Sequence, residues 1–143
     1  MTVLLQISDP HFGTDVAEPV EALVELAHDL APDLVVVSGD ITQRGRRAQF
    51  AAARSFVQRL AVPATLVIPG NHDIPLFNIL ARVAFPYSGF IRAFGRQLSP
   101  VWSSDDALVI GVRTTRRWRH KHGEVSNRQI REVARRLATA GDR

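Results

Sequence analysis

Residues 34–40 read LVVVSGD, a continuous apolar run that ends in a glycine and an acid. An apolar run without alternation predicts a β-strand that is covered on both faces, as in a parallel sheet. Similar runs lie on either side of it, VLLQIS at 3–8 and ATLVI at 64–68. About 30 residues separate successive runs, which leaves room for crossover helices. The chain therefore predicts an α/β fold with mostly parallel strands in β-α-β-α-β order.

Apolar spacing also predicts the helices between these runs and the elements that follow them. Apolar residues recur at helical spacing within 19–31 and 50–60. A fourth strand is predicted at Ala107–Val112. A final helix should begin at Ser126, where Gln129 can complete a capping box. The 143 residues suffice for a single domain, which we expect to span residues 1–143.

Composition narrows the chemistry and the compartment. The chain has no cysteine, which excludes disulfides and thiolate metal ligands, so any metal must be held by oxygen and imidazole. No apolar stretch approaches the roughly 20 residues that a membrane-spanning helix needs. The first residues also lack the basic lead-in and cleavage site of a signal peptide. We therefore expect a cytoplasmic protein that does not act on a membrane.

A polar cluster follows each of the three apolar runs. The clusters are DPH at 9–11, GD at 39–40 and GNHD at 70–73. Open α/β sheets bind ligands beyond the carboxyl ends of their strands, so we expect the three clusters to meet there. Each cluster alone could equally be a turn or a helix cap, and only their joint placement favours a functional site.

Metal binding is the chemistry that these side chains favour. We predict that Asp9, His11, Asp40 and Asn71 are metal ligands, and that the two oxygens of Asp40 bridge two cations. Oxygen and imidazole ligands favour two divalent ions from among Mn²⁺, Fe, Zn²⁺ and Mg²⁺. Cations about 3.5–4 Å apart can hold a hydroxide that attacks a phosphoryl centre.

Two further side chains of the third cluster are candidates for catalysis. His72 can protonate the leaving oxygen or stabilise its developing charge, and Asp73 can hold the His72 imidazole in orientation. We therefore predict His72 and Asp73 as the catalytic residues.

These motifs resemble those of the calcineurin-like metallophosphoesterase family, in their order and in their position at strand ends. The segments GDITQRGRRAQFAAARSF from residue 39 and PGNHDIPLFN from residue 69 are similar to bacterial phosphohydrolases, including the cyclic-nucleotide phosphodiesterase branch. The resemblance implies a four-layer α/β/β/α sandwich with a dinuclear metal centre. It also implies that Asp9 and His11 bind the first metal, Asp40 bridges, Asn71 binds the second and His72 is catalytic.

The chain departs from that family in its later histidines. The family completes its centre with an HHP-like and a GHxH-like segment, and this sequence contains neither. Of the other histidines, His28 is expected at a helix surface, and His120 and His122 in a basic loop are not expected to be native ligands. The chain therefore resembles the N-terminal half of the sandwich, a truncated domain. From this chain alone we expect one weakly bound metal and negligible two-metal catalysis.

Basic residues dominate the end of the chain. From Arg113 onward there are ten Arg or Lys residues against three acids, within a net charge of +4. This segment is either a solvated helix face or a surface that attracts phosphate groups. A non-catalytic scaffold that binds phosphate or nucleic acid is therefore the alternative to a phosphoesterase acting on a small phosphate ester such as a cyclic nucleotide. A homo-oligomer is a further expectation, because half a sandwich leaves one sheet face uncovered.

Overall fold

The first three strands form one parallel sheet, as the apolar runs predict. The structure is a computed structural model that describes residues 1–119 and 121–141. The strands are β1 (Leu4–Ser8), β2 (Leu34–Ser38) and β3 (Thr65–Val67). They lie in the order β1-β2-β3, with Ser8 opposite Ser38 and Val37 opposite Val67. All three carboxyl ends therefore reach the same edge of the sheet.

Two helices cover one face of this sheet. They are α1 (Ala17–Leu30), between β1 and β2, and α2 (Arg47–Arg59), between β2 and β3. Val35 and Val37 of the central strand are fully buried in a cluster with apolar residues of both helices, among them Ala27 and Phe56. This packing confirms the crossover helices and explains why the β2 run has no polar alternation.

The other face of the sheet is covered by a short hairpin. After α3 (Ile79–Ala84) and α4 (Ser88–Phe94), the strands β4 (Val101–Ser103) and β5 (Leu108–Ile110) pair antiparallel. Trp102 and Val109 of this hairpin pack against Leu34, Val36 and Leu66 of the parallel sheet. The layers of helix, sheet and second sheet agree with the predicted half of an α/β/β/α sandwich.

The hairpin also corrects one detail of the prediction. The strand predicted at 107–112 corresponds to β5, which covers only Leu108–Ile110, and the sequence pattern does not predict its partner β4. Three-residue strands are too short for alternation to be recognised, and β4 lies in a segment mixed with aromatics and prolines.

The last helix begins where its capping box predicts. In α5 (Asn127–Ala138), the Gln129 N–H donates to the Ser126 hydroxyl oxygen at 3.3 Å, and the Ser126 N–H donates to the Gln129 side-chain oxygen at 3.0 Å. Ile130 and Leu137 stay more than half exposed. Within 1–119 and 121–141, no helix combines the length and the apolar character that crossing a bilayer requires.

Candidate metal centre

The loops after β1 and β2 run side by side beyond the ends of their strands. The Asp9 N–H donates to the Ser38 carbonyl at 2.9 Å, and the His11 N–H donates to the Asp40 carbonyl at 3.0 Å. Asp9 and His11 adopt positive φ angles of 52° and 47°. This conformation costs a non-glycine residue about 1–3 kcal/mol, so the surrounding hydrogen bonds must hold it in place. The pairing brings the first two clusters together.

Two glycines leave the space that the acidic side chains occupy. Gly39 has a φ of 81°, and a Cβ built on it would overlap the Asp9 carboxylate. A Cβ on Gly70 would overlap the Asp40 carboxylate and would lie 2.5 Å from the carbonyl carbon of Gly39. Each carboxylate therefore lies directly against the backbone of a neighbouring loop.

Asp40 connects all three strand-end loops. Its backbone N–H donates to the Asp9 carboxylate at 3.0 Å, and its Oδ1 accepts from the His72 N–H at 2.9 Å. Its Oδ2 lies 3.9 Å from Nε2 of His72. Of the residues predicted as ligands, Asp40 is thus the one that contacts both the first and the third cluster.

His11, Asp40 and His72 form a group that suits a cation. Each offers one ligand atom, and these atoms all lie within 4.8 Å of one another. The two imidazole rings meet edge to face at 5.3 Å between centroids. Nδ1 of His11 is buried and has no hydrogen-bond partner among the described residues. A buried polar atom without a partner is rare in folded proteins, and a metal ion would satisfy it.

The chemistry of these side chains can be compared with the ligands that divalent metals prefer. Imidazole and carboxylate groups at these distances, with an unpartnered nitrogen on His11, are ligands that suit Mn²⁺, Fe or Zn²⁺. Asp9 and Asn71 line one cavity of about 280 Å³ together with Asp40. Their side-chain oxygens are therefore close enough to the group to serve as further metal ligands. The residues present therefore fit divalent cations, and the structure brings together all four predicted ligands, His11 through its contact with Asp40.

Asp73 has a different place from the one predicted. It is 1% exposed, and both of its oxygens are occupied by donors from the loops after β2 and β3. Oδ1 accepts from the N–H and the hydroxyl of Thr42, and Oδ2 accepts from the N–H groups of Ile41 and Gly70. Burial raises the pKa of Asp73 to about 6, against the opposing effect of these hydrogen bonds. The expectation that Asp73 holds the His72 imidazole is wrong, because its oxygens bind the loop backbone instead.

The partner that orients His72 is the backbone of Gln43. Nδ1 of His72 lies 2.8 Å from the Gln43 carbonyl oxygen. A carbonyl only accepts, so Nδ1 carries the proton and Nε2 faces Asp40. No residue type in the sequence marks this contact, because any residue at position 43 supplies a carbonyl.

The remaining histidines separate into three cases. His28 is exposed, and its Nε2 lies 2.9 Å from the Arg59 carbonyl at the end of α2, which confirms a surface residue away from the site. His122 is exposed and lines the cavity of Asp9, Asp40 and Asn71. His120 lies outside the described residues.

The basic segment faces the same cavity as the acidic loops. Arg116, Arg119 and Lys121 line it opposite the strand ends. Glu124 lies 3.2 Å from Nε of Arg119 and 3.8 Å from Nε of Arg116. The sequence pattern is compatible with either a solvated helix face or a surface that attracts phosphate groups. Its first part, before α5, belongs to the wall of the candidate site.

Two curated proteins are similar to part of this chain. A glycerophosphodiester phosphodiesterase of Enterobacter lignolyticus is 37% identical over 87 residues, covering 50% of this chain and 29% of that protein. A probable cyclic nucleotide phosphodiesterase of Synechococcus sp. is 32% identical over 93 residues, covering 57% of this chain and 36% of that protein. The matched region thus spans about a third of the length of these relatives.

A family match covers nearly the whole chain. Residues 2–140 match the family described as calcineurin-like phosphoesterase. The strand-end clusters, the parallel sheet and the metal-compatible group of His11, Asp40 and His72 agree with this match. The chain belongs to the calcineurin-like phosphoesterase family.

Proposed function

We propose that this chain is the metal-binding part of a phosphoesterase that hydrolyses a small phosphodiester or phosphomonoester with the help of two divalent cations. The observation that carries the proposal is the buried Nδ1 of His11, which has no hydrogen-bond partner among the described residues and belongs to a side chain grouped with the Asp40 carboxylate and the His72 imidazole. The names of the two relatives, both phosphodiesterases, support the same class of reaction.

The proposed ligands divide between two cations. Asp9, His11 and Asp40 would hold the first, and Asp40 and Asn71 would hold the second. Catalytic metal ions generally have three protein ligands, so the first site should bind more tightly than the second in this chain. When bound, divalent cations activate a water molecule as the nucleophile and neutralise charge on the phosphoryl oxygens.

The protein residues supply orientation and a proton. Nδ1–H of His72 is held by the Gln43 carbonyl, which leaves Nε2 to donate a proton to the departing oxygen when the ring is protonated. Asp73 acts through the backbone, because its carboxylate joins the loop that carries Asp40 to the loop that carries His72. It is a positioning residue rather than a catalytic one.

Calorimetry and hydrolysis together test this proposal. We expect one Mn²⁺ ion per chain to bind first and weakly, and hydrolysis of bis(p-nitrophenyl) phosphate by this chain to stay slow even when millimolar Mn²⁺ fills the weaker site. Asp40→Asn should abolish both signals, and Asp29→Asn on the exposed side of α1 should change neither. Mn²⁺ binding that survives in Asp40→Asn would overturn the bridging role of Asp40.

A non-catalytic scaffold is the second candidate, and the arginines and lysine in the cavity wall favour it. Such a protein would bind nucleic acid with an affinity that falls steeply with salt and ignores chelator. Chelator-insensitive binding that is unchanged in Asp40→Asn would decide for this candidate. A cyclic nucleotide as substrate, a homo-oligomer and a cytoplasmic location stay predictions.

A further inference from the structure

Two cavities meet beside the candidate metal centre, and Asn71 and Lys121 line both of them. The first is the 280 Å³ cavity of Asp9 and Asp40. The second, about 200 Å³, is also lined by His72, with Gln43, Arg44 and Leu76. Lys121 therefore lies where a substrate bound at the metal centre would extend into the cavity that His72 lines.

The cations of the basic wall differ in how far they are already paired. Arg116 is nearly buried and donates to the Thr115 carbonyl and the Gln129 side-chain oxygen, so it supports the fold. Arg119 is paired with Glu124. Lys121 is exposed, and the described residues offer its ammonium group no hydrogen bond or ion pair. Lys121 is thus free to bind an anion from outside the chain.

The second cavity is the place where a leaving group would lie. In the proposed reaction His72 protonates the departing oxygen, so the alcohol part of the ester must extend along the cavity that His72 lines. Its wall offers the cations Arg44 and Lys121, and none of its lining residues carries a carboxylate. An alcohol with a negative group would be stabilised there, whereas a neutral one would gain nothing from these charges.

We infer that Lys121 is a specificity-determining residue, which selects phosphate esters whose alcohol carries a second anionic group, either a carboxylate or another phosphate. The inference rests on the proposed function, since it assumes that the reacting phosphate binds at the metal centre and that the alcohol lies beside His72.

Two matched probes test it by calorimetry on the Mn²⁺-loaded chain. 3-Phosphoglycerate and glycerol 3-phosphate have the same phosphate and differ in one carboxylate in place of a hydroxymethyl group. We expect the carboxylate probe to bind about tenfold more tightly, as a charge-assisted contact allows. Lys121→Gln should remove most of this preference and change the Kd of glycerol 3-phosphate by less than about twofold.

The controls separate the possible failures. Arg131→Gln removes one positive charge from an exposed position on α5 that lines neither cavity, and it should keep the preference. Equal weakening of both probes in Lys121→Gln would mean that Lys121 contacts the reacting phosphate, and unchanged Kd values for both probes would mean that it contacts neither group. Either result overturns the inference while leaving the proposed function intact. Absence of Mn²⁺ binding in the unmodified chain would overturn both.

Discussion

Asp73 accepts two hydrogen bonds from Thr42, one from its backbone N–H at 2.8 Å and one from its hydroxyl at 2.7 Å. The two residues belong to loops that follow different strands, 31 positions apart. Because Asp40 precedes Thr42 and His72 precedes Asp73, this contact sets the distance between the second and third clusters. The metal centre therefore depends on a carboxylate whose oxygens bind the loops around it and are not free to bind a metal.

Replacing Asp73 with asparagine should destabilise the protein. In Asp73→Asn, the amide NH₂ would face N–H donors in a buried place, and we expect a loss of about 3 kcal/mol in the free energy of unfolding. Urea denaturation measures this loss. Asp29→Asn, an exposed residue of α1, is the matched control, and an equally small effect in both variants would contradict the structural role of Asp73.

Mn²⁺ should stabilise the chain through His11. A ligand that binds only the folded state adds about 2.7 kcal/mol at a concentration 100 times its Kd, and the melting temperature should rise accordingly. His11→Ala should remove most of this rise, because it deletes the unpartnered nitrogen. His28→Ala, whose imidazole contacts the end of α2, should retain it. A full Mn²⁺ response in His11→Ala would exclude His11 as a ligand.

His72 should act on the chemical step more than on substrate binding. At saturating Mn²⁺, we expect His72→Ala to lower kcat for bis(p-nitrophenyl) phosphate by about 100-fold or more, the range of a general acid, and to change KM little. Mn²⁺ titration of the same variant tests the alternative that His72 is a metal ligand. A matching loss of metal affinity would assign His72 to the ligands, which its distance from Asp40 also permits.

Gly39 should be sensitive to a methyl group for a reason beyond its backbone angle. Gly39→Ala would strain a φ of 81° and would also push the Asp9 carboxylate aside. Gly95 has a φ of 91° with open space around it, so Gly95→Ala measures the strain alone. We expect both variants to be destabilised by about 1–3 kcal/mol and only Gly39→Ala to lose Mn²⁺ affinity. Equal metal affinity in both would mean that Asp9 need not occupy its present position.

Asp106 should make the stability of the N-terminal region depend on acid. Hydrogen bonds from Thr2 and Ser104 hold the pKa of this carboxyl well below its usual value of 3.8. A lowered pKa in the folded state stabilises the protein above pH 3.8, and this contribution is lost as the pH falls below that value.

Unfolding curves at several pH values measure this effect. Asp106→Asn should be less stable than the unmodified chain at pH 7, and the difference should shrink steadily below about pH 4. Asp105→Asn, an exposed neighbour, is the control. A difference that does not vary with pH would show that the hydrogen bonds leave the Asp106 pKa unchanged.

Local sequence determined the elements whose signals repeat along the chain. The apolar run at 34–38 predicts a strand buried on both faces, and the Ser126–Gln129 pair marks the start of α5, because period and capping act over a few residues. The strand-end position of Asp9, Asp40 and Asn71 follows equally from the order of these runs. Parallel strands must end at one edge, so the sequence alone places these side chains near one another.

Only the tertiary structure decided which groups line the candidate site and which hold other residues in position. Gln43 orients His72 through a carbonyl that every residue has, and Asp73 binds backbone N–H groups about 30 positions away rather than the neighbouring imidazole. Lys121 lines the cavity of Asp9 and Asp40 although it lies far from both along the chain. Such contacts depend on how distant backbone segments pack, and no local period or motif records that arrangement.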